Sequence, residues 1–180
     1  MEPLVDIVIE DPRWENLGLD RLAEWAIETS FAALGMSKFG YCLCVMGCDN
    51  ARIAVLNGDF RSKTKPTNVL SWPSFNLGPV SLGAPPRPIE PGLVHDPKML
   101  GDIALAYETC AQEAQEQNKT LSDHVAHLIV HGFLHLLGYD HVENLDAEFM
   151  ENQEREILTK MGLCDPYSEQ RKMLIYWNKD

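Results

Sequence analysis

No stretch of the 180-residue chain approaches the roughly 18 to 20 continuous apolar residues that a membrane span needs. The opening MEPLVDIVIEDPRWEN also lacks a basic region followed by an apolar run. A cytoplasmic protein without a membrane partner is expected. Cysteine is scarce: Cys42, Cys44, Cys48, Cys110 and Cys164 make an odd count with no CxxC pair, which argues against a disulfide framework. Cys42 and Cys44 alternate with apolar residues as strand positions do, and all five are expected as reduced thiols of the core. Positive charge is short too, with 15 Lys and Arg against 27 Asp and Glu and a net charge of −12. That balance argues against a protein that coats nucleic acid nonspecifically, since neutralising phosphates takes clustered cations, but it leaves a nuclease open.

The cations present are concentrated. Between Arg52 and Lys65 stand Arg52, Arg61, Lys63 and Lys65 with a single acid, Asp59. Positive potential on one loop is one account of this, and a solvated turn is another.

The apolar pattern describes one domain over residues 1–180, an α/β (α+β) fold with a small mixed sheet of about four strands and about five helices. VDIVIE (5–10), YCLCVM (41–46), NVLSW (68–72) and DIALAY (102–107) read as strands. RIAVLN (52–57) reads as another, joined to YCLCVM by the turn GCDNA as a hairpin. Helices are expected over 15–34, ended by Gly35; over 109–117; over 122–137, capped by Ser122 or Asp123 and ended by Gly138; and over 144–161, ended by Gly162. The last carries Glu143, Asp146, Glu148, Glu151, Glu154 and Glu156, with Glu151/Arg155 and Glu156/Lys160 four apart; it reads as a solvated face without chemistry. Residues 73–97 hold seven of the eleven prolines and three glycines, which leaves a long loop.

The chemistry is concentrated in HVAHLIVHGFLHLLGYDH, residues 124–141, where five of the six histidines fall. On a helix, residues four apart lie about 40° apart around the axis and roughly 6 Å along it, so His131 and His135 leave one face together. Gly138 ends the helix, and the short link GYD can return His141 as a third ligand. Three neutral imidazoles with one position left open suit a catalytic zinc ion, one per chain. Val125, Leu128, Ile129 and Leu136 form the apolar face, so the stripe His124, His127, His131 and His135 has no packing reason to be histidine. His124 and His127 are candidates for substrate contact or for supporting the ligands, or are ordinary helix surface. Asp140 is a candidate to orient a ligand imidazole, or merely holds the turn. The spacing H-x3-H-x2-G-x2-H matches the metalloprotease signature, but the glutamate that signature places after the first histidine is here Gly132, which cannot take a proton from water.

HGFLHLLGYDH (131–141), LNGDFRSKTKPTNVLSWP (56–73) and LGDIAL (100–105) together resemble the signature blocks of the YbeY family of bacterial endoribonucleases. The resemblance covers most of residues 40–162. Trp72 departs from the family's usual Phe, Asn68 stands where members carry Asp or Asn, and the Pro-rich stretch is longer than expected. The resemblance implies a zinc-dependent endoribonuclease specific for single strands. Its task would be maturation and quality control of small-subunit (16S) ribosomal RNA, with the ribosome or its assembly factors as partners and no DNA substrate. It also implies His131, His135 and His141 as metal ligands and Arg61 as the residue that holds phosphate. For proton transfer the sequence offers His127 and Asp140 without choosing between them. Two rivals are a metallohydrolase acting on a substrate other than RNA and a ribosome-assembly factor whose zinc is structural.

Overall fold

The computed structural model describes residues 3–168. In chain order the elements are β1 (Val5–Ile9), α1 (Arg13–Leu17), α2 (Leu19–Ala33), β2 (Tyr41–Cys48), α3 (Asn50–Arg61), β3 (Val69–Pro73), β4 (Lys98–Ala106), α4 (Tyr107–Glu116), α5 (Leu121–Leu136) and α6 (Asn144–Lys160). The sheet runs β1-β2-β4-β3, with β1, β2 and β4 parallel and β3 antiparallel to β4. This is the mixed four-stranded α+β domain expected.

Alternation along the strands divides the core between the two faces of the sheet. Leu43, Val45, Ile103 and Leu105 pack with Ile27 and Phe31 of α2 and with Val125, Ile129 and Phe133 of α5. The intervening Cys48, Ala104 and Ala106 join Ile53 of α3 and Leu70 of β3 in a smaller cluster. α5 is the central helix, touching α2, α4, α6, β3 and β4. Val125, Leu128, Ile129 and Leu136 are all buried. The helix bearing the histidines is therefore held on several sides.

Several local expectations are corrected. Residues 52–57 are helical, not a strand, because the Asp49 side chain accepts from the Arg52 amide at 2.7 Å and caps α3. The hairpin is accordingly absent, and α3 instead follows β2 and leads on to β3. The basic residues are thus not all on a loop: Arg52 and Arg61 belong to α3, and only Lys63 and Lys65 follow it. The helix expected over 15–34 is two helices broken at Gly18, whose φ of 76° a helix cannot continue through. The cap of α5 is Thr120, accepting from the Asp123 amide at 3.1 Å, rather than Ser122 or Asp123. Of the cysteines only Cys48 and Cys110 are buried; Cys42 and Cys44 are half-buried and Cys164 is exposed.

Residues 74–97 form no helix or strand, as the prolines require. The loop is nonetheless anchored. Arg87 donates to the carbonyls of Asn76 and Gly78 at 2.5 and 3.1 Å, and the Gly83 amide donates to Asp146 at the start of α6 at 2.7 Å. Among the described residues no helix is long and apolar enough to cross a membrane.

Candidate metal centre

α5 ends at Leu136, and the chain turns through Gly138, at φ 94°. A β-carbon there would lie 2.6 Å from the Leu77 carbonyl group, so the Pro-rich loop closes directly on the turn that returns His141. The outcome is the convergence that the spacing implied: one ligand nitrogen from each of His131, His135 and His141 lies within 4.8 Å of the others. His131 and His135 are half-buried and His141 is exposed, which leaves the group open on one side.

Hydrogen bonds fix which nitrogens face inward. His135 Nδ1 lies 2.9 Å from the Tyr139 carbonyl oxygen, and His131 Nδ1 bonds to the Glu154 carboxylate. A neutral imidazole has one proton, and since a carbonyl or carboxylate oxygen can only accept, these contacts favour it at Nδ1 in both rings. In that tautomer the two Nε2 atoms carry lone pairs, and they face one another at 3.0 Å. Two lone pairs so close repel, and a cation coordinated by both removes the repulsion. His135 is suited to this: burial, followed by the charges of His131 and His141, lowers its pKa to about 4, so it stays neutral. The donor set fits a divalent ion of zinc type.

Arg61, the last residue of α3, is exposed and shares a cleft of about 610 Å³ with His135, Ser71, Tyr139 and Asp140. The cleft brings Arg61 and His135 together although they are far apart in the chain. Asp140 also lines it, and one of its oxygens accepts from the His141 amide at 2.7 Å. That bond lies within the turn, and the polar partners of the His131 and His135 rings are Glu154 and the Tyr139 carbonyl. His127 points elsewhere: its Nε2 lies 3.1 Å from Glu154, and it lines the groove on the other side of His131. His124 bonds to Glu113 at 2.7 Å, and Glu113 in turn accepts from Asn68 at 3.0 Å. Gly132 faces β3 and β4, where a β-carbon would meet Ser71 Oγ at 3.0 Å and Ile103 at 3.1 Å. That position has no room for the glutamate of a metalloprotease.

Glu154 is the residue that the sequence reading missed. It is fully buried, not part of a solvated face, and it takes bonds from His127, His131 and the Tyr167 hydroxyl. Burial alone would raise its pKa, but the bonds from His127 and His131 outweigh this and hold the carboxyl well below its usual range. The available signal was its place on the apolar stripe of α6, with Met150 four residues before it and Ile157 three after, both buried.

The family model for Endoribonuclease YbeY matches residues 9–162. Among curated proteins, the Endoribonuclease YbeY of Cereibacter sphaeroides is 59% identical over 93% of this chain and all of its own length. That of Paracoccus denitrificans is 52% identical over 92% of this chain and 90% of its own. The solution structure of the Thermotoga maritima protein TM1509 is similar in fold, with a TM-score of 0.50 at 21% identity over 90% of this chain and 97% of its own.

Proposed function

We propose, since this chain belongs to the YbeY family of endoribonucleases and is a nuclease that hydrolyses phosphodiester bonds, that it is a zinc-dependent enzyme acting on single-stranded ribosomal RNA. Maturation and quality control of the small-subunit (16S) RNA, in the cytoplasm and on or near the ribosome, is the task this implies. The observation that carries the reading is the convergence of three imidazoles, one of which, His135, lines the same cleft as Arg61, a cationic side chain without an ion pair among the described residues.

His131, His135 and His141 would hold one zinc ion. When bound, zinc supplies Lewis acidity toward a phosphate oxygen and makes water acidic enough to give up a proton near neutral pH. Arg61 presents a planar guanidinium that holds two oxygens of the scissile phosphate and steadies the charge that grows on them. Asp140 lines the same cleft, so its carboxylate is placed to accept a proton on the side where substrate lies; His127, engaged by Glu154 beyond His131, supports the site from behind. Arg61, Lys63 and Lys65 make no ion pair among the described residues, which gives an acidic protein one local cationic surface for RNA. The remaining affinity comes from a ribosomal or assembly-factor partner.

The test is a substrate panel for the zinc-loaded protein: single-stranded ribosomal RNA, the same RNA as duplex, single-stranded DNA of the same sequence, a small phosphodiester and a peptide. Cleavage confined to single-stranded RNA is expected. Turnover of the small phosphodiester alone would move the site to another substrate, and no cleavage at all would favour an assembly factor with structural zinc.

A further inference from the structure

A carboxylate with no solvent exposure is costly to hold in a protein interior unless its hydrogen bonds compensate. Glu154 has that position on α6, and its three partners differ in where they lead. Tyr167 lies on the turn after α6, and His127 faces the groove beyond His131. His131 alone joins it to the metal centre. The centre has its own deficit: three neutral imidazoles contribute no negative charge to offset a dication. Asp140, the carboxylate nearest in sequence to the ligands, is exposed and engaged with the His141 amide.

We propose that Glu154 is a positioning residue of the metal centre, fixing the His131 proton on Nδ1 so that Nε2 stays a free ligand, and supplying the buried negative charge that balances the ion through the imidazole. A carboxylate placed behind a ligand histidine sets the ring's tautomer and orientation and raises its basicity, and loss of such a partner typically weakens metal affinity about 10- to 100-fold. Two features make Glu154 suited to this. Its full burial leaves the charge unscreened by water, and the bonds from His127 and Tyr167 hold the carboxylate in place without using the oxygen that His131 meets, since both go to Oε2 while His131 meets Oε1. A carboxylate whose role was confined to His127 and Tyr167 would leave the His131 tautomer and the metal affinity unaffected by its loss.

The inference rests on the reading that the three histidines hold a metal, and the experiment separates the two. Zinc affinity is measured by competition with a chelator for wild type, Glu154→Gln and Tyr167→Phe, with folding checked by circular dichroism. The protonated nitrogen of His131 is read by imidazole ¹⁵N NMR in the metal-free proteins. Expected are an Nδ1 proton on His131 in wild type and its loss or exchange to Nε2 in Glu154→Gln. Zinc affinity should fall about 10- to 100-fold in that variant and stay close to wild type in Tyr167→Phe, which removes one donor from Glu154 without touching His131. Wild-type His131 protonated at Nε2 would overturn the proposal with no variant needed. So would equal zinc affinity in wild type and Glu154→Gln, or an equal loss in Tyr167→Phe, while the metal site itself would stand. Wild type that takes up no zinc would overturn both.

Discussion

Arg61 is the residue whose role can be measured apart from the metal. It is exposed, makes no ion pair among the described residues, and stands beside His135 in the cleft. Each phosphate contact made by a cation releases counterions, so affinity for a single strand falls with salt in proportion to the number of contacts. Arg61→Ala should therefore weaken binding to single-stranded RNA and make the slope of log affinity against log salt less steep by about 0.7. Titration of labelled RNA over a range of salt checks this, and an unchanged slope would place Arg61 away from the phosphate. At this scale the sequence was clear for the histidines, because helical spacing by itself put His131 and His135 on one face. It was unclear for Glu154, because six acids run from Glu143, the cap residue of α6, to Glu156, and composition made the buried one look like its neighbours.

At the scale of elements, the strands at 5–10, 41–46, 68–72 and 102–107 and the helices of the C-terminal half were legible from alternation and capping. Residues 52–57 were not. Ile53, Val55 and Leu56 satisfy a short strand as well as a helix, and only tertiary context decides: Ile53 packs on Leu70 and Ala104 while Val55 faces solvent, and Asp49 caps the first turn. The break at Gly18 escaped notice because apolar residues keep helical intervals on both sides of it. α5 matters most for the proposed function, since two of the three clustered histidines project from its last turns, and its start rests on the Thr120 cap. Thr120→Ala should cost about 1 kcal/mol of stability in chemical denaturation, with zinc stoichiometry retained because the ligands lie more than two turns away. A loss well under that figure would mean that packing alone fixes the start of α5.

Over the whole molecule, charge and topology act together. A net charge of −12 disfavours nonspecific contact with a polyanion, and Arg61, Lys63 and Lys65 concentrate positive charge at and just after the end of α3, with Arg61 beside the cleft. The sheet order β1-β2-β4-β3 puts β3 next to β4 and under α5, so that Ser71 and Gly132 meet across this layer and the Pro-rich loop leaving β3 returns against the turn before His141. This long-range arrangement was invisible in sequence. The prolines excluded regular structure from residues 74–97 but could not say that Leu77 would close on Gly138 or that Gly83 would bond to Asp146. The loop is thereby a wall of the site as well as a connection.

The most direct test of the central claim joins metal content to cleavage of single-stranded ribosomal RNA, for wild type and for His135→Ala and Arg61→Ala proteins of confirmed fold. The account predicts about one zinc per chain in wild type, cleavage lost in both variants, and zinc depleted only in the histidine variant. Wild-type protein that cleaves RNA at full rate after its metal has been stripped, or a His135→Ala protein that keeps both zinc and activity, would contradict it.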